Sequence, residues 1–113
     1  MTSQISNTTK QKTYFIYDST QHKLDDIPDH IKFLEFDDNF NESLDDMPKL
    51  PNLTDLQFGK HFNKSVKDLQ NKVEQLEYLG FGEDFNQDVD DLPHTLIHIE
   101  FGKSFNLPVK NLP

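Results

Sequence analysis

The chain contains no cysteine, tryptophan, arginine or alanine, and only four glycines in 113 residues. Without cysteine there is neither a disulfide framework nor a thiolate zinc site. Without arginine all 11 cations are lysine, set against 20 Asp and Glu for a net charge of −9. That balance argues against a nucleic-acid binder, whose affinity needs a cationic face. No apolar run approaches the ~18 residues of a membrane span, and Met1 leads into polar residues rather than a signal sequence. An apolar content of 34% is low. Leu, Ile, Val and Phe nevertheless number 33, about 29% of the chain and above the ~20% below which chains stay unfolded. With no alanine and few windows of helical period, long helices are not expected; Lys67 to Leu79 is the one stretch suited to a helical turn. The length fits one domain.

What is present is a repeat. Phe-Asn occurs at Phe40-Asn41, Phe62-Asn63, Phe85-Asn86 and Phe105-Asn106, at intervals of 22, 23 and 20 residues. Four positions before each lies another phenylalanine: Phe36, Phe58, Phe81 and Phe101. Eight of the ten phenylalanines therefore fall into two columns. The full unit reads apolar-x-x-apolar-x-Phe-Gly-x-x-Phe-Asn-x-x-apolar-x-x-apolar-Pro. It starts at Ile31, Leu53, Leu76 and Leu96, and its last position falls 17 residues later in every copy. Only the links between copies vary, as expected of stacked coils that keep fixed contacts with their neighbours. A degenerate copy precedes them, Tyr14-Phe15-Ile16, Leu24 and Ile27-Pro28, with Ile16 standing for the first Phe and Thr20-Gln21 for Phe-Asn. It reads as a capping coil.

Within each coil the second apolar residue and the Phe two places later share one side of an extended segment. Leu34/Phe36, Leu56/Phe58, Leu79/Phe81 and Ile99/Phe101 are thus expected to point inward from short strands. Gly59, Gly82 and Gly102 follow directly, with Asp37 in the second coil, and are read as turns at positive φ. The Asn41, Asn63, Asn86 and Asn106 column is expected to satisfy turn backbone and stack on itself; Asn41 and Asn63 are placed inward. The apolar-Pro close sets the return bend. The predicted fold is mainly β: a right-handed, leucine-rich-repeat-like solenoid of about five 20–23-residue coils, with a short-stranded parallel sheet and little helix. Residues 1–12 form a flexible polar leader, and the coils occupy 13–28, 29–48, 49–70, 71–93 and 94–113.

The motif Leu-x-x-Leu-x-Phe-Gly-x-x-Phe-Asn-x-x-Val-x-x-Leu-Pro resembles the FNIP repeat, a relative of leucine-rich repeats. The last copy, Phe105-Asn106-Leu107-Pro108-Val109, is close to the sequence that names that family. The resemblance covers residues 29–113 well and 13–28 weakly. It implies a protein-interaction role in social amoebae or in giant DNA viruses that infect amoebae, often beside an F-box. The dozen polar residues before the first coil are too few for an F-box. The resemblance implies no catalytic residue.

Candidate sites follow from the outward columns. One runs Thr13, Phe33, Asp55, Tyr78 and His98, the other Phe15, Glu35, Gln57, Gly80 and Glu100. Phe33, Tyr78 and His98 are the expected anchors, and Glu35, Asp55 and Glu100 the electrostatic selectors, for a protein partner with a basic and apolar surface. Residues 14–48 hold 10 acids against 2 lysines, which favours a basic partner and opposes nucleic acid and anionic membrane. A row of Asp26, Asp46, Asp68 and Asp91 reads as a solvated or turn-capping ridge rather than a calcium site. His94 and His98 lack a third zinc ligand. No serine sits in a nucleophile setting, and the N-x-S/T matches at Asn7, Asn41, Asn52 and Asn63 are not read as glycosylated. Neither cofactor nor metal is expected. The expected function is a non-catalytic, cytoplasmic interaction module (in the host cytoplasm if viral). The alternative is an assembly protein that forms homo-oligomers through Phe101, Phe105 and Leu112 of the last coil.

Overall fold

The computed structural model describes residues 12–109. The expected leader, apart from Lys12, and Leu112 lie outside them. Five short strands run in chain order: β1 Tyr14–Tyr17, β2 Phe33–Phe36, β3 Asp55–Gln57, β4 Tyr78–Gly80 and β5 His98–Glu100. They form one sheet in the order β1-β2-β3-β4-β5, every pair parallel. Each connection leads from one strand to the next, so the chain is a mainly β solenoid. Among the described residues helix is confined to a 3-10 turn at Leu24–Asp26 and a single turn, α1, at Leu69–Lys72. The latter falls within the 67–79 stretch, where the link between coils is longest. There the Lys72 ammonium donates to the Leu44 and Asp45 carbonyls of the 29–48 coil, at 2.9 and 2.7 Å.

The repeat dictates the packing. Among the described residues the 24 buried hydrophobics form one core, and no polar side chain is buried with them. The Phe36, Phe58, Phe81 and Phe101 rings stack coil on coil, with centroids 5.2–5.8 Å apart. Phe40, Phe62, Phe85 and Phe105 do the same at 5.8–6.2 Å. Within a coil the two columns stack face to face, as in Phe58–Phe62 at 4.0 Å and Phe81–Phe85 at 3.7 Å. Offset stacks of this kind add ~0.5–1.5 kcal/mol each beyond the area they bury. At the head of β1 to β4 one carbonyl takes two donors from the next coil: Lys32 accepts from Thr54 and Asp55, and Thr54 from Glu77 and Tyr78. Thr13 and Glu77 repeat the arrangement.

Three expectations are corrected. First, β1 is one residue out of the expected phase: Tyr14 pairs with Phe33, Phe15 with Leu34, Ile16 with Glu35 and Tyr17 with Phe36. Tyr17, not Ile16, therefore opens the first phenylalanine column. It is 2% exposed, its ring lies 5.1 Å from Phe36 and 5.2 Å from Phe40, and its hydroxyl donates to the His22 carbonyl. Isoleucine has neither a ring to continue the stack nor a donor for that carbonyl. Second, no described glycine has a positive φ. The column is glycine because coils approach closely there: a Cβ on Gly59 would overlap the Asp37 carbonyl, one on Gly82 the Gly59 carbonyl, and one on Gly102 the Gly82 carbonyl. Asp37 carries a side chain in this column and uses it, accepting from the Ser19 N–H and hydroxyl at 2.7 and 2.6 Å.

Third, the asparagine column does not point inward. Asn41 and Asn106 are exposed and Asn63 and Asn86 half-buried. Each side-chain oxygen accepts the backbone N–H of its counterpart one coil on, Asn41 from Asn63, Asn63 from Asn86 and Asn86 from Asn106, at 2.8–3.1 Å. The next turn is closed by a column absent from the sequence reading. Ser43, Ser65 and Asp88 each accept the N–H two residues ahead, the short side-chain turn these residue types favour.

Candidate strand-face binding site

Because one side of the sheet is packed against the core, every second strand residue faces outward. The register brings two outward rows together: Tyr14, Phe33, Asp55, Tyr78 and His98, and beside it Ile16, Glu35, Gln57, Gly80 and Glu100. Thr13 and Phe15, expected to head these rows, do not. Phe15 is half-buried against the core, with its ring 4.8 Å from His22. Tyr14 and Ile16 take their places, 50% and 57% exposed, beside Phe33 at 45%. The three form an apolar patch on β1 and β2. A shallow cavity of about 240 Å³ opens there, its lining including Tyr14, Ile16, Phe33, Glu35, Asp55 and Tyr78.

The six expected binding residues thus share one face but divide into two groups. Phe33, Glu35 and Asp55 border the cavity. Tyr78, also on its wall, joins His98 and Glu100 in a network that satisfies itself. The Tyr78 and His98 rings stack at 5.1 Å, and a His98 ring nitrogen lies 3.1 Å from the Glu100 carboxylate. The Tyr78 hydroxyl has Glu100 at 3.0 Å and Gln57 at 3.2 Å as acceptors. Burial, then the Glu100 hydrogen bond and charge, push the Tyr78 phenol above its ordinary value. The hydrogen bonds from His98 and then Tyr78 hold the Glu100 carboxyl below its own. Gly80 makes room for the network: any Cβ there would collide with the Gln57 amide and crowd the Tyr78 hydroxyl.

Phe101 and Phe105 are half-buried, each stacked on the preceding coil and on one another at 4.0 Å. Leu107 and Val109 beside them are 38% and 48% exposed. Among the described residues no three His, Asp or Glu side chains converge as metal ligands would. No described helix is long and apolar enough to cross a membrane. Comparison with known proteins finds no family model, no curated protein and no solved structure that matches this chain.

Proposed function

We propose that the chain is a non-catalytic interaction module that binds a protein partner across its strand face. The observation carrying this reading is the adjoining trio Tyr14, Ile16 and Phe33, each 45–57% exposed, on a sheet whose other side is packed into the core. Single exposed apolar residues are ordinary; three large ones together at the mouth of a cavity are the usual mark of an interaction surface. The Glu35, Asp55 and Glu100 carboxylates beside them favour a partner with basic groups and oppose nucleic acid and anionic membrane. Membership of the FNIP repeat family and a cytoplasmic setting, that of the host if the chain is viral, belong to the same proposal. The in-phase Phe-Gly-x-x-Phe-Asn copies support the first.

The test is affinity capture with the wild type beside a Tyr14→Ser, Ile16→Ser, Phe33→Ser variant shown to keep the wild-type circular dichroism and melting temperature. A partner held by the wild type and lost by the folded variant is the expected result; equal capture by both would overturn it. A second reading, homo-oligomer assembly through Phe101 and Phe105, is favoured by their being the partly exposed members of ladders that are otherwise buried. A monomer mass independent of concentration would remove it.

A further inference from the structure

We propose that the strand face takes a lysine or arginine side chain of its partner between the rings of Phe33 and Tyr78, over the carboxylate of Asp55. This rests on the strand-face reading above and names what is recognised there. The three residues occupy one register position on β2, β3 and β4. At ~4.8 Å per strand, the two ring-bearing backbones stand about 9.6 Å apart with Asp55 midway. Two ring contacts of about 3.5–4.0 Å, one on either side of a guanidinium plane or a methylene stem, fill about 7–8 Å. A tilt of the exposed Phe33 ring closes the remainder.

Tyr78 is the fixed wall. One face of its ring is covered by His98 on β5, and its hydroxyl is held by Gln57 and Glu100, which leaves the other face toward β3. Asp55 is the floor, half-buried, with one oxygen accepting the Thr54 hydroxyl at 2.9 Å. Among the described residues the ion pairs are Lys60 and Lys103 with Glu83, His61 with Asp84 and His98 with Glu100; none involves Asp55 or Glu35. A carboxylate between two aromatic faces attracts a cation twice, through its charge and through the ring quadrupoles. The molecule makes the second contact itself one strand away, where the Lys12 ammonium lies 5.7 Å from the Tyr14 ring centre.

The apolar patch sets the rest of the recognition element. Phe33 lies one strand from Asp55 and Ile16 two strands across and two residues along, about 5 and 12 Å away, and alternate residues of an extended chain are about 6.7 Å apart. The occupant is therefore an extended segment that crosses the strands, with an apolar residue on β1–β2 and a lysine or arginine two or three positions away over β3.

Random octapeptides displayed on phage and selected against the full chain test this. Enrichment of Lys or Arg two or three positions from Leu, Ile, Phe or Tyr is expected, and Asp55→Lys should abolish that preference. A selected peptide should lose at least tenfold in affinity for Asp55→Asn, and as much when its cation is replaced by norleucine. Enrichment without a cation, or a cation preference unchanged in Asp55→Lys, would overturn the slot; it would leave the strand face standing if Ile16→Ser still lost the peptides. Peptides that bind Ile16→Ser and Phe33→Ser as tightly as the wild type would overturn both, and no enrichment at all would overturn the slot.

Discussion

Gly82→Ala should cost far more than a glycine-to-alanine change normally does, and the reason is the spacing of the coils. Gly82 has no positive φ, so alanine suits its backbone and gains ~0.4–1 kcal/mol from the reduced entropy of the unfolded chain. Space sets the cost. The added methyl would overlap the Gly59 carbonyl and stand 2.9 Å from the Lys60 Cα. Both are backbone atoms of the preceding coil, with no rotamer through which to escape. Ordinary contact begins near 3.4 Å, so the coils must part locally by about an ångström. Two backbone bonds tie these coils near that point: Phe58 N–H to the Gly80 carbonyl at 2.9 Å, and Asp84 N–H to the Lys60 carbonyl at 3.0 Å. Losing both costs about 0.5–1.5 kcal/mol each, and overpacking adds ~1–3 kcal/mol. The net is about 1–5.5 kcal/mol, or a melting temperature lower by about 5–30 °C for a domain of this size. Urea unfolding and a thermal melt followed by circular dichroism measure it. Gly82→Asn separates the two explanations, because asparagine tolerates positive φ but not the clash. An alanine variant within about 0.5 kcal/mol of wild type, or an asparagine variant much more stable than the alanine one, would refute the close-approach argument.

Register makes the next prediction: Tyr17→Ala should destabilise the chain by ~3–5 kcal/mol while Ile16→Ala changes it by less than ~0.5 kcal/mol, and the reverse order in urea unfolding would restore the expected phase. Asn63→Ala removes the acceptor of the Asn86 N–H and of the Gln87 amide and should cost about 1–3 kcal/mol, whereas Asn63→Asp keeps an acceptor and should cost less than ~1 kcal/mol. If the two lose stability equally, the ladder is not held by that oxygen. Tyr78, raised above the ordinary phenol value of ~10, contributes stability that is complete below that value and lost as pH rises through its folded value. Burial raises the Tyr17 phenol as well, so an ultraviolet phenolate titration should show two late-ionising groups, one of which disappears in Tyr78→Phe. Glu100 and Asp18, both lowered, act in the opposite sense: their contribution is present above the ordinary carboxylate range and lost as pH falls through their lowered values.

The phenylalanine columns were legible because a buried ring stacked on its copies leaves few substitutes, so the spacing persists while the links between coils drift. Glycine was legible as a requirement and not as a reason. Positive φ and close approach both demand the absence of a Cβ, and only the carbonyl of the preceding coil distinguishes them. Asparagine was half legible, since a column of one polar residue announces a ladder without saying whether the ladder lies inside or at the surface.

The first strand was not legible, for a definite reason. Tyr14-Phe15-Ile16-Tyr17 is an unbroken apolar run, and inside is told from outside only by alternation. What settles the phase is remote in sequence: the rings of Phe36 and Phe40, and the His22 carbonyl that takes the Tyr17 hydroxyl. A one-residue slip exchanges the two faces of a strand, so the sequence pattern puts Ile16 in the core and Tyr14 outside both outward rows. The fold is indifferent to that slip because four regular copies determine it redundantly. At the candidate site the slip changes the β1 members alone, Tyr14 and Ile16 in place of Thr13 and Phe15, because that is where a copy departs from the repeat: positions that every coil shares are used in stacking coil on coil, and only positions that differ from coil to coil remain to distinguish one partner from another.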